Sequence, residues 1–334
     1  MKLHQLRALV AVARAGSVHE GARALCVTQP AVTRALRDLE DEVGLMLVSR
    51  SSSGISLTPE GRLTLQRAEL ILNEIGRTED ELARMRGARQ GRVAIGVTPL
   101  SGIALLPRAY VRFREQMPDS TLEFVEYAPS LLVEQLKNGE LDFALAAGVE
   151  SQEFSSVRCV ELAEFPMWFA VSRRSPLAHA ASLADLEHAE WLHTGPCAEF
   201  RAFLAAQFAR AGLPAPRRIT RCTSQALYYG LALDPNMVTS WTHLALRGEE
   251  ALEHMTTLDL IEPPPARRLY LLFRRDTVPT CTAQHFVDCI MEVIEAVRSA
   301  GRSIVPSGER NACVRPFDGA CGSHQKGQCQ ESGM

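Results

Sequence analysis

Apolar residues at the start of the chain recur every three or four positions, a spacing that predicts short amphipathic helices. The first helix is expected to place these side chains on one face: Leu3, Leu6, Leu9, Val10 and Ala13. Gly16 ends this helix, and Ser17 with Glu20 forms a capping-box pattern that opens a second, short one. In the second helix, Ala22 and Leu25 are expected to face inward.

A third helix is predicted to begin after Thr28, a good N-cap residue, and to end at Gly44. Its expected inner stripe is Ala31, Val32, Leu36, Leu39 and Val43. Two short helices joined by a tight turn predict a helix-turn-helix, whose second helix enters the major groove of DNA. Its outward polar residues are Gln29, Thr33, Arg34 and Arg37. These residues suit base edges and phosphates, but spacing alone also allows an ordinary solvated helix face.

Two short β-type runs follow this helix, at 45–48 and 55–57, around a polar tip at 51–54. The pattern predicts a hairpin with Arg50 at its neck. A hairpin directly after a recognition helix is a wing, which usually lies along the flanking minor groove or the phosphate backbone. The wing therefore favours DNA binding over the solvated-face interpretation.

The first domain resembles that of the LysR-type transcriptional regulators through the string GS-x4-AR-x-L-x2-TQPAVTRALRDLEDEVG-x3-V-x-R-x6-LTPEG. The matching positions include Gly16, Ser17, Ala22, Leu25, Thr28, Gln29, Pro30, Ala31, Thr33, Leu36, Leu39, Glu40, Gly44, Arg50, Leu57, Thr58 and Gly61. The resemblance implies DNA contacts from the third helix and the wing. The full expected DNA-binding set is Ser17, Thr28, Gln29, Pro30, Thr33, Arg34, Arg37 and Arg50.

The wing departs from the family pattern at two places. Met46, Leu47 and Val48 stand where the family usually has Pro-Leu-Phe, and the tip is rich in serine where the family often has another arginine. The smaller Val48 is expected to pack the wing base less tightly. These departures predict weaker, salt-sensitive DNA binding that is supplemented by assembly into a tetramer.

Residues 59–86 form one run of helical spacing without an internal proline after its first residue. Its apolar positions are Leu63, Ala68, Ile71, Leu72, Ile75, Leu82 and Met85. A long amphipathic helix needs a partner for its stripe. The resemblance implies a linker helix that pairs antiparallel with that of a second chain, and the alternative is a helix lying on its own domain. Gly87 and Gly91 are expected to flank a hinge.

From residue 92 onward, β-type runs alternate with helical runs, which predicts open α/β sheets. Strands are expected at 92–97, 122–125 and 141–146 and within 157–171, 191–194, 219–222, 236–240 and 269–274. Helices are expected around 105–113 and at 130–138, 182–187, 197–212, 224–231, 242–248 and 282–299. This half resembles the periplasmic-binding-protein-like effector domain of LysR-type proteins. The resemblance implies two lobes with crossovers near Ala163 and near residues 263–265.

The predicted fold class is therefore α/β multidomain. The expected domains are a winged helix-turn-helix at 1–58, a linker helix and hinge at 59–89, and a two-lobed effector-binding domain at 90–302. Lobe I is expected at 92–163 and 267–302, and lobe II at 164–266. Residues 303–334 are poor in large apolar residues and are expected to be a disordered tail. Cys313, Cys321 and Cys329 recur there every eight residues, a spacing that fits no established zinc pattern.

A ligand cleft is expected where the strands of the two lobes end. Ligands of open α/β sheets lie beyond the carboxyl ends of the strands, against helix N-termini that favour anions. The expected effector-binding residues are Thr98, Ser101, Ser130, Thr194, Thr223 and Ser224. The alternative for each is a simple helix cap. An anionic organic effector is therefore expected. Residues 146–148 bring no charged side chain to the cleft, so such an anion would rely on amides and hydroxyls, with Arg201 or Arg221 as possible further contacts.

Charge is unevenly distributed along the 334 residues, whose formal net charge is -3. Residues 1–92 carry fourteen Lys and Arg against eleven Asp and Glu, which leaves the remainder about 6 units negative. This asymmetry suits DNA at one end only. The chain has no signal-peptide pattern and no run long enough to span a bilayer, so a cytoplasmic location is expected. Its nine cysteines show no CxxC pair and are expected to be free thiols.

No catalytic, cofactor or metal motif occurs in the sequence, and His193 near the cleft is expected to pack rather than to react. The prediction is a non-enzymatic transcription regulator without cofactor or membrane contact. Its expected partners are promoter DNA, a small-molecule effector, copies of itself in a homodimer or homotetramer, and RNA polymerase. The rival interpretations are a solute-binding or enzymatic α/β protein with an interaction module, and a structural DNA-bending protein.

Overall fold

The computed structural model describes residues 1–51, 54–86, 91–98, 105–147, 154–242, 253–275 and 277–299. Several predicted features lie outside the described residues: the wing tip at 52–53, the hinge at 87–90, Ser101, residues 243–248 of an expected helix, and the tail at 303–334. Thr242, where that helix was expected to begin, ends a strand.

The first unit is a helix-turn-helix followed by a hairpin. Its helices are α1 (Leu3–Ala15), α2 (Val18–Ala24) and α3 (Gln29–Val43). The antiparallel hairpin consists of β1 (Val48–Ser51) and β2 (Gly54–Leu57), with Val48 opposite Leu57. The predicted winged helix-turn-helix is confirmed.

A small apolar core holds this unit together. Its buried members are Ala8, Leu9, Val12, Ala22, Val32, Ala35, Leu36, Leu39, Leu47 and Val48. The predicted inner stripe of α3 is wrong at Ala31 and Val43, which are exposed, and Ala35 and Glu40 are buried instead. Because an α-helix turns once every 3.6 residues, Ala35 and Glu40 flank the stripe of Val32, Leu36 and Leu39, and Ala31 lies further round the helix. Val43 is in line with the stripe but is the last residue of α3.

The wing begins later than predicted, because residues 45–47 are not in a strand. Gly44 has a left-handed φ of 70°, which turns the chain out of α3. Glu40 Oε1 then accepts hydrogen bonds from the amides of Leu47 (2.8 Å) and Val48 (3.0 Å). The Thr58 hydroxyl donates to the Met46 carbonyl at 2.8 Å. The side chains of Glu40 and Thr58 therefore hold this backbone segment, and the Leu47 carbonyl also accepts the Thr58 amide at 3.1 Å.

A single helix, α4 (Pro59–Met85), extends for 27 residues after the wing. Of the residues in this helix, only Gly61 and Ala68 are fully buried. Several of its large apolar side chains are exposed: Leu63, Ile71, Leu82 and Met85. The described part of the chain thus leaves an apolar surface on α4 uncovered.

The next unit is built on a five-stranded sheet of order β4-β3-β5-β12-β6. The strands are β3 (Arg92–Val97), β4 (Thr121–Glu126), β5 (Phe143–Ala147), β6 (Arg158–Phe165) and β12 (Arg267–Phe273). Helices α5 (Leu106–Gln116) and α9 (Cys281–Ser299) pack on one face, and α6 (Pro129–Lys137) packs on the other. Residues along β3 alternate between these two cores, as the two-residue period of a strand requires.

A second five-stranded sheet has the order β11-β7-β10-β8-β9. Its strands are β7 (Met167–Ser172), β8 (Glu190–His193), β9 (Arg218–Arg221), β10 (Met237–Thr242) and β11 (Met255–Thr257). Helix α7 (Cys197–Arg210) covers one face and α8 (Gln225–Ala232) covers the other. The predicted α/β fold class is confirmed. Strand β11 was not predicted, because three residues are too few to show an alternating pattern.

Candidate nucleic-acid interface and ligand cleft

The polar face of α3 points away from the core of the first unit. Gln29, Pro30, Arg34 and Arg37 are exposed, and Thr33 is half-buried. In the described part of the chain, neither arginine forms an ion pair with a carboxylate. Two unpaired guanidinium groups on an exposed helix face can bind phosphates or pair with guanine.

The two predicted capping residues differ in what their hydroxyls do. Ser17 caps α2, since its Oγ accepts the Glu20 amide at 3.1 Å. The Glu20 carboxylate pairs with Arg23 at 3.1 Å and does not complete the predicted capping box. Thr28 stands at the N-cap position of α3, but its exposed hydroxyl makes no capping hydrogen bond. The Thr28 hydroxyl is therefore free to bind a phosphate, whereas that of Ser17 already has a structural partner.

Arg50 belongs to β1, opposite Ile55, and its side chain lies outside the described residues. The wing is tied to the turn between α1 and α2, because the Ile55 amide donates to the Gly16 carbonyl at 3.2 Å. The buried Glu40 carboxylate holds the other end of the wing. Sequence reasoning included Glu40 only as a matching position and missed this anchoring role.

The motif at the start of α4 fixes that helix against the wing base. The Thr58 Oγ1 accepts the Gly61 amide at 2.9 Å while its hydroxyl donates to Met46. A Cβ atom at Gly61 would lie 1.9 Å from the carbonyl oxygen of Leu47. Only glycine permits this approach, which explains why a glycine closes the Leu-Thr-Pro-Glu-Gly string.

The ligand cleft is predicted where the parallel strands of the two sheets end. In the first sheet, β3, β4 and β5 are parallel, so Glu126 and Ala147 end at one edge. In the second sheet, β8 runs parallel to β9 and β10, so His193, Arg221 and Thr242 end at one edge. The chain passes from one sheet to the other at Pro166, between β6 and β7. This is the position at which open α/β sheets bind ligands.

The predicted cleft residues fall into two groups. Thr98 is buried, and its Oγ1 accepts the Ala147 amide at 3.1 Å. Ser224 caps α8, with its Oγ 3.5 Å from the Leu227 amide. By contrast, three others have side chains that make no hydrogen bond within the described residues: Ser130 and Thr223, which are exposed, and Thr194, which is half-buried. Ser101 lies outside the described residues.

One contact across the cleft was not predicted. Gln225, the first residue of α8, donates from Nε2 to Oε2 of Glu126, the last residue of β4, at 3.3 Å. Neither Glu126 nor Gln225 was among the residues predicted for the cleft. The feature that could have revealed the pair is a charged residue at the very end of a strand facing an amide at a helix start.

Two family models match the chain. The model described as "Bacterial regulatory helix-turn-helix protein, lysR family" matches residues 3–62, and "LysR substrate binding domain" matches residues 86–295. The chain is 30% identical over 274 residues to the HTH-type transcriptional regulator GalR of Pseudomonas putida, covering 82% of this chain and 69% of that one. This chain belongs to the LysR family of transcriptional regulators.

Further relatives support the membership and the fold. The HTH-type transcriptional regulator TdcA of Escherichia coli is 26% identical over 228 residues, which cover 68% of this chain and 73% of TdcA. Full-length CbnR complexed with its target DNA superposes with a TM-score of 0.62 at 22% identity, over 88% of this chain and 100% of CbnR. Full-length OxyR from Pseudomonas aeruginosa gives 0.63 at 21% identity, over 88% and 95%. At these identities the two structures show a shared fold.

Within the cleft of this LysR regulator, His193 is a packed and neutral side chain. Its ring stacks on Phe200 of α7, with centroids 4.2 Å apart and planes 7° from parallel. Burial and the nearby Arg221 lower the pKa of His193 to about 4. Among the described residues its Nε2 has no hydrogen-bond partner. The imidazole is therefore packed in the protein interior, with one buried nitrogen that has no partner among the described residues.

The linker helix α4 contacts the first sheet unit through an almost buried ion pair. Arg77 Nη2 lies 3.0 Å from Asp142 Oδ1 and donates to the Leu141 carbonyl at 3.1 Å. The Asp142 Oδ2 accepts the Ala94 amide at 2.8 Å. Burial raises the pKa of Asp142, and the attraction of Arg77 opposes that rise. The pair therefore fixes α4 to the turn that precedes β5.

Two further contacts extend this attachment along α4. Arg274 lies 2.8 Å from Glu74, and the Cys281 amide donates to Glu81 Oε1 at 3.1 Å. One side of the linker helix thus lies on its own chain, which was the alternative interpretation of the sequence. Its exposed apolar residues remain available for a second chain.

Neither a membrane-spanning helix nor a metal site is found in the part of the chain that the structure describes. No helix in it is both long and apolar enough to cross a membrane. No group of three or more His, Cys, Asp or Glu side chains in it is arranged to hold a metal ion.

Proposed function

We propose that this LysR regulator reads promoter DNA through α3 and the wing, and that a small molecule bound between the two sheets changes that binding. The supporting observation is that some polar residues of the first unit bond to its backbone whereas others are exposed and unpaired. Glu40, Ser17 and Thr58 bond to the backbone, whereas Arg34 and Arg37 are exposed and unpaired. Unpaired cations on one face of a supported helix serve a partner outside the chain.

The proposed base and phosphate contacts follow from side-chain chemistry. Gln29 presents the amide that pairs with adenine, and Arg34 presents the fork that pairs with guanine or a phosphate. Arg37, one turn further along, is placed for the phosphate backbone, and the free Thr28 hydroxyl adds a donor at the helix start. Arg50 is proposed to contact the flanking groove from the wing.

The effector is proposed to bind at the facing strand ends, where the helix N-termini of α6 and α8 favour an organic acid. Ser130, Thr194 and Thr223 have side chains available for it. Thr98 and Ser224 are engaged within the chain and are proposed to shape the cleft. Closure of the cleft around the effector would change the populations of the DNA-binding arrangements.

The assembly is proposed to be a homotetramer in the cytoplasm. The exposed stripe of α4 would pair two chains, and the sensor halves would pair two dimers, so that two recognition-helix pairs reach one promoter region. RNA polymerase is a proposed further partner, and no enzymatic activity is proposed. The proposed domain limits are 1–58, 59–89, 90–302 and 303–334. The predicted start of lobe II at 164 falls inside β6, so lobe II is proposed to extend from the crossover at Pro166 to 266.

The decisive experiment measures equilibrium binding of the purified full chain to the DNA just upstream of its own coding region. Arg34→Ala should weaken binding by about 1–3 kcal/mol, roughly 5- to 150-fold, because one base or phosphate contact is lost. Arg210→Ala is the matched control, since it removes the same charge from the exposed end of α7, away from the first unit. It should leave the affinity unchanged.

Other outcomes separate the rival interpretations. Equal loss in both variants would indicate nonspecific charge attraction and would contradict reading by α3. No binding to the upstream DNA, followed by a genomic pull-down without enriched sites, would overturn the DNA-binding function. A nucleotide or coenzyme retained on purification would favour an enzyme.

A further inference from the structure

The carboxylate of Glu126 lies at the cleft without a cation beside it. Glu126 is the last residue of β4, on the edge where the parallel strands of the first sheet end. No Lys, Arg or His nitrogen of the described residues comes within ion-pair distance of its oxygens. The other carboxylate on β4, that of Glu123, is by contrast paired with Arg92 at 2.8 Å. The negative charge at the cleft is therefore not neutralised within the described chain.

Gln225 faces this carboxylate from the second sheet unit. Its Nε2 donates to Glu126 Oε2, and this orientation of the amide is the one that avoids placing two acceptors together. The same orientation leaves Gln225 Oε1 buried, with no hydrogen-bond partner among the described residues. A buried carbonyl oxygen without a donor is unfavourable, so the site is incomplete as it stands.

Two acceptors thus converge from opposite sides of the cleft. The Glu126 carboxylate has lone pairs that Gln225 does not use, and Gln225 Oε1 has none of its bonding capacity filled. Partial burial raises the pKa of Glu126, and the hydrogen bond from Gln225 opposes that rise. A group with several donors would satisfy both acceptors at once.

We propose that Glu126 and Gln225 form a recognition site for a hydrogen-bond donor group of the effector, an ammonium or a hydroxyl. An ammonium fits best, because it brings three donors and the positive charge that Glu126 lacks. The donor group binds between the lobes and so also holds them together. A carboxylate of the same effector must lie away from Glu126, because an anion beside that carboxylate would be repelled.

This inference rests on the proposed function and sharpens it, since it names the chemistry that the cleft selects. It narrows the organic acid predicted from the sequence to one that carries an amino or hydroxyl group. Effectors with a methyl group at the donor position would leave Gln225 Oε1 unpaired and are discriminated against.

The test uses two sets of small acids. Within each set, the three compounds differ only in whether they carry an amine, a hydroxyl or a methyl group at one position. The first set is γ-aminobutyrate, γ-hydroxybutyrate and valerate, and the second is alanine, lactate and isobutyrate. Each compound is titrated against the full chain, and its apparent affinity is read from the rise in thermal stability, because a ligand of the folded state stabilises it. Wild type is compared with Glu126→Gln. Glu123→Gln is the matched control, the same substitution three residues earlier on the same strand.

We expect the amine of at least one set to bind more tightly than its methyl analogue, with the alcohol between them. Glu126→Gln should reduce that preference about tenfold or more, as for a lost hydrogen bond to a charged group, and Glu123→Gln should preserve it. Tighter binding of valerate and isobutyrate, no stabilisation by any amine or alcohol, or a preference untouched by Glu126→Gln would overturn the proposal.

Binding of the same protein preparations to upstream DNA separates this inference from the function beneath it. If DNA binding persists while the methyl compounds are preferred, the regulator stands and the donor site fails. If wild type binds no DNA at all, the proposed function itself fails.

Discussion

The outer face of α3 and the predicted cleft between the sheets both carry polar side chains, but the two regions use them differently. On α3, Arg34 and Arg37 are exposed and unpaired. In the cleft, the hydroxyls of Thr98 and Ser224 accept bonds from their own chain. The residue types suggested binding in both regions, yet of the predicted cleft residues that the structure describes, only Ser130, Thr194 and Thr223 have hydroxyls without a partner among the described residues.

The difference reflects how each surface is built. A helix face depends on spacing within one element, so the sequence shows directly which residues point outward. A cleft depends on which loops and strands meet, and a hydroxyl at a strand end has neighbouring amides competing for it. The side chains available to a ligand in the cleft are therefore those that form no local hydrogen bond with a neighbouring backbone group. Glu126 and Gln225 are such a pair, because they bond only across the two units.

The largest expected effect is a loss of stability when the ion pair between α4 and the first sheet unit is broken. Arg77→Ala should lower the free energy of unfolding by about 3 kcal/mol at neutral pH, because it leaves the Asp142 carboxylate buried without its cation. Removing Arg77 should raise the pKa of Asp142 further. Since protonated Asp142 needs no cation, the loss of stability should shrink as the pH falls through that pKa. Denaturant unfolding of the full chain at neutral and acidic pH measures both effects.

Arg67→Ala provides the control for this prediction, because Arg67 is an exposed residue of the same helix. It should change stability little and without dependence on pH. An Arg77→Ala deficit that is constant from neutral to acidic pH would show that the pair with Asp142 is not its cause.

The next effect concerns the support beneath the recognition surface. Gly61→Ala should cost about 2–3 kcal/mol of stability, because the added Cβ collides with the backbone at Leu47 and forces α4 away from the wing. Gly76→Ala makes the same change within the same helix, where nothing lies within 4 Å of the added atom. It should stabilise the chain by up to about 1 kcal/mol, as alanine replaces glycine in a helix. Thermal unfolding distinguishes the two, and equal shifts would rule out the close approach.

A smaller effect separates structural from available hydroxyls within the cleft. Thr98→Val should destabilise the protein by about 1–2 kcal/mol, because the buried Ala147 amide loses its acceptor. Ser130→Ala, at an exposed position of α6, should change stability by less than about 0.5 kcal/mol. If both variants unfold like wild type, the contrast between engaged and available hydroxyls is wrong.

The fold was largely predictable from the sequence, because each element carries its own periodicity and caps. α3 was expected to end at Gly44, and it does, since glycine adopts the left-handed conformation found there. The exceptions depend on contacts between distant residues. Residues 45–47 have β-type composition, but Glu40 and Thr58 take their backbone groups, so no strand forms before Val48.

The candidate sites also differ in whether local sequence patterns could predict them. The exposed face of α3 followed from helical spacing and from the family resemblance. The Glu126–Gln225 contact joins residues 99 positions apart, and the pairing of Arg77 with Asp142 joins two separate units. No local pattern encodes such contacts, because they arise only when the two sheets and the linker helix have packed.

The most direct test of DNA reading by α3 is a salt titration of binding to the upstream DNA by wild type and Arg37→Ala. If the free guanidinium groups bind phosphates, the logarithm of the affinity falls linearly with that of the salt concentration, and the slope becomes shallower by about one in the variant. An affinity indifferent to salt, or the same slope in both proteins, would contradict a DNA-binding role for this face.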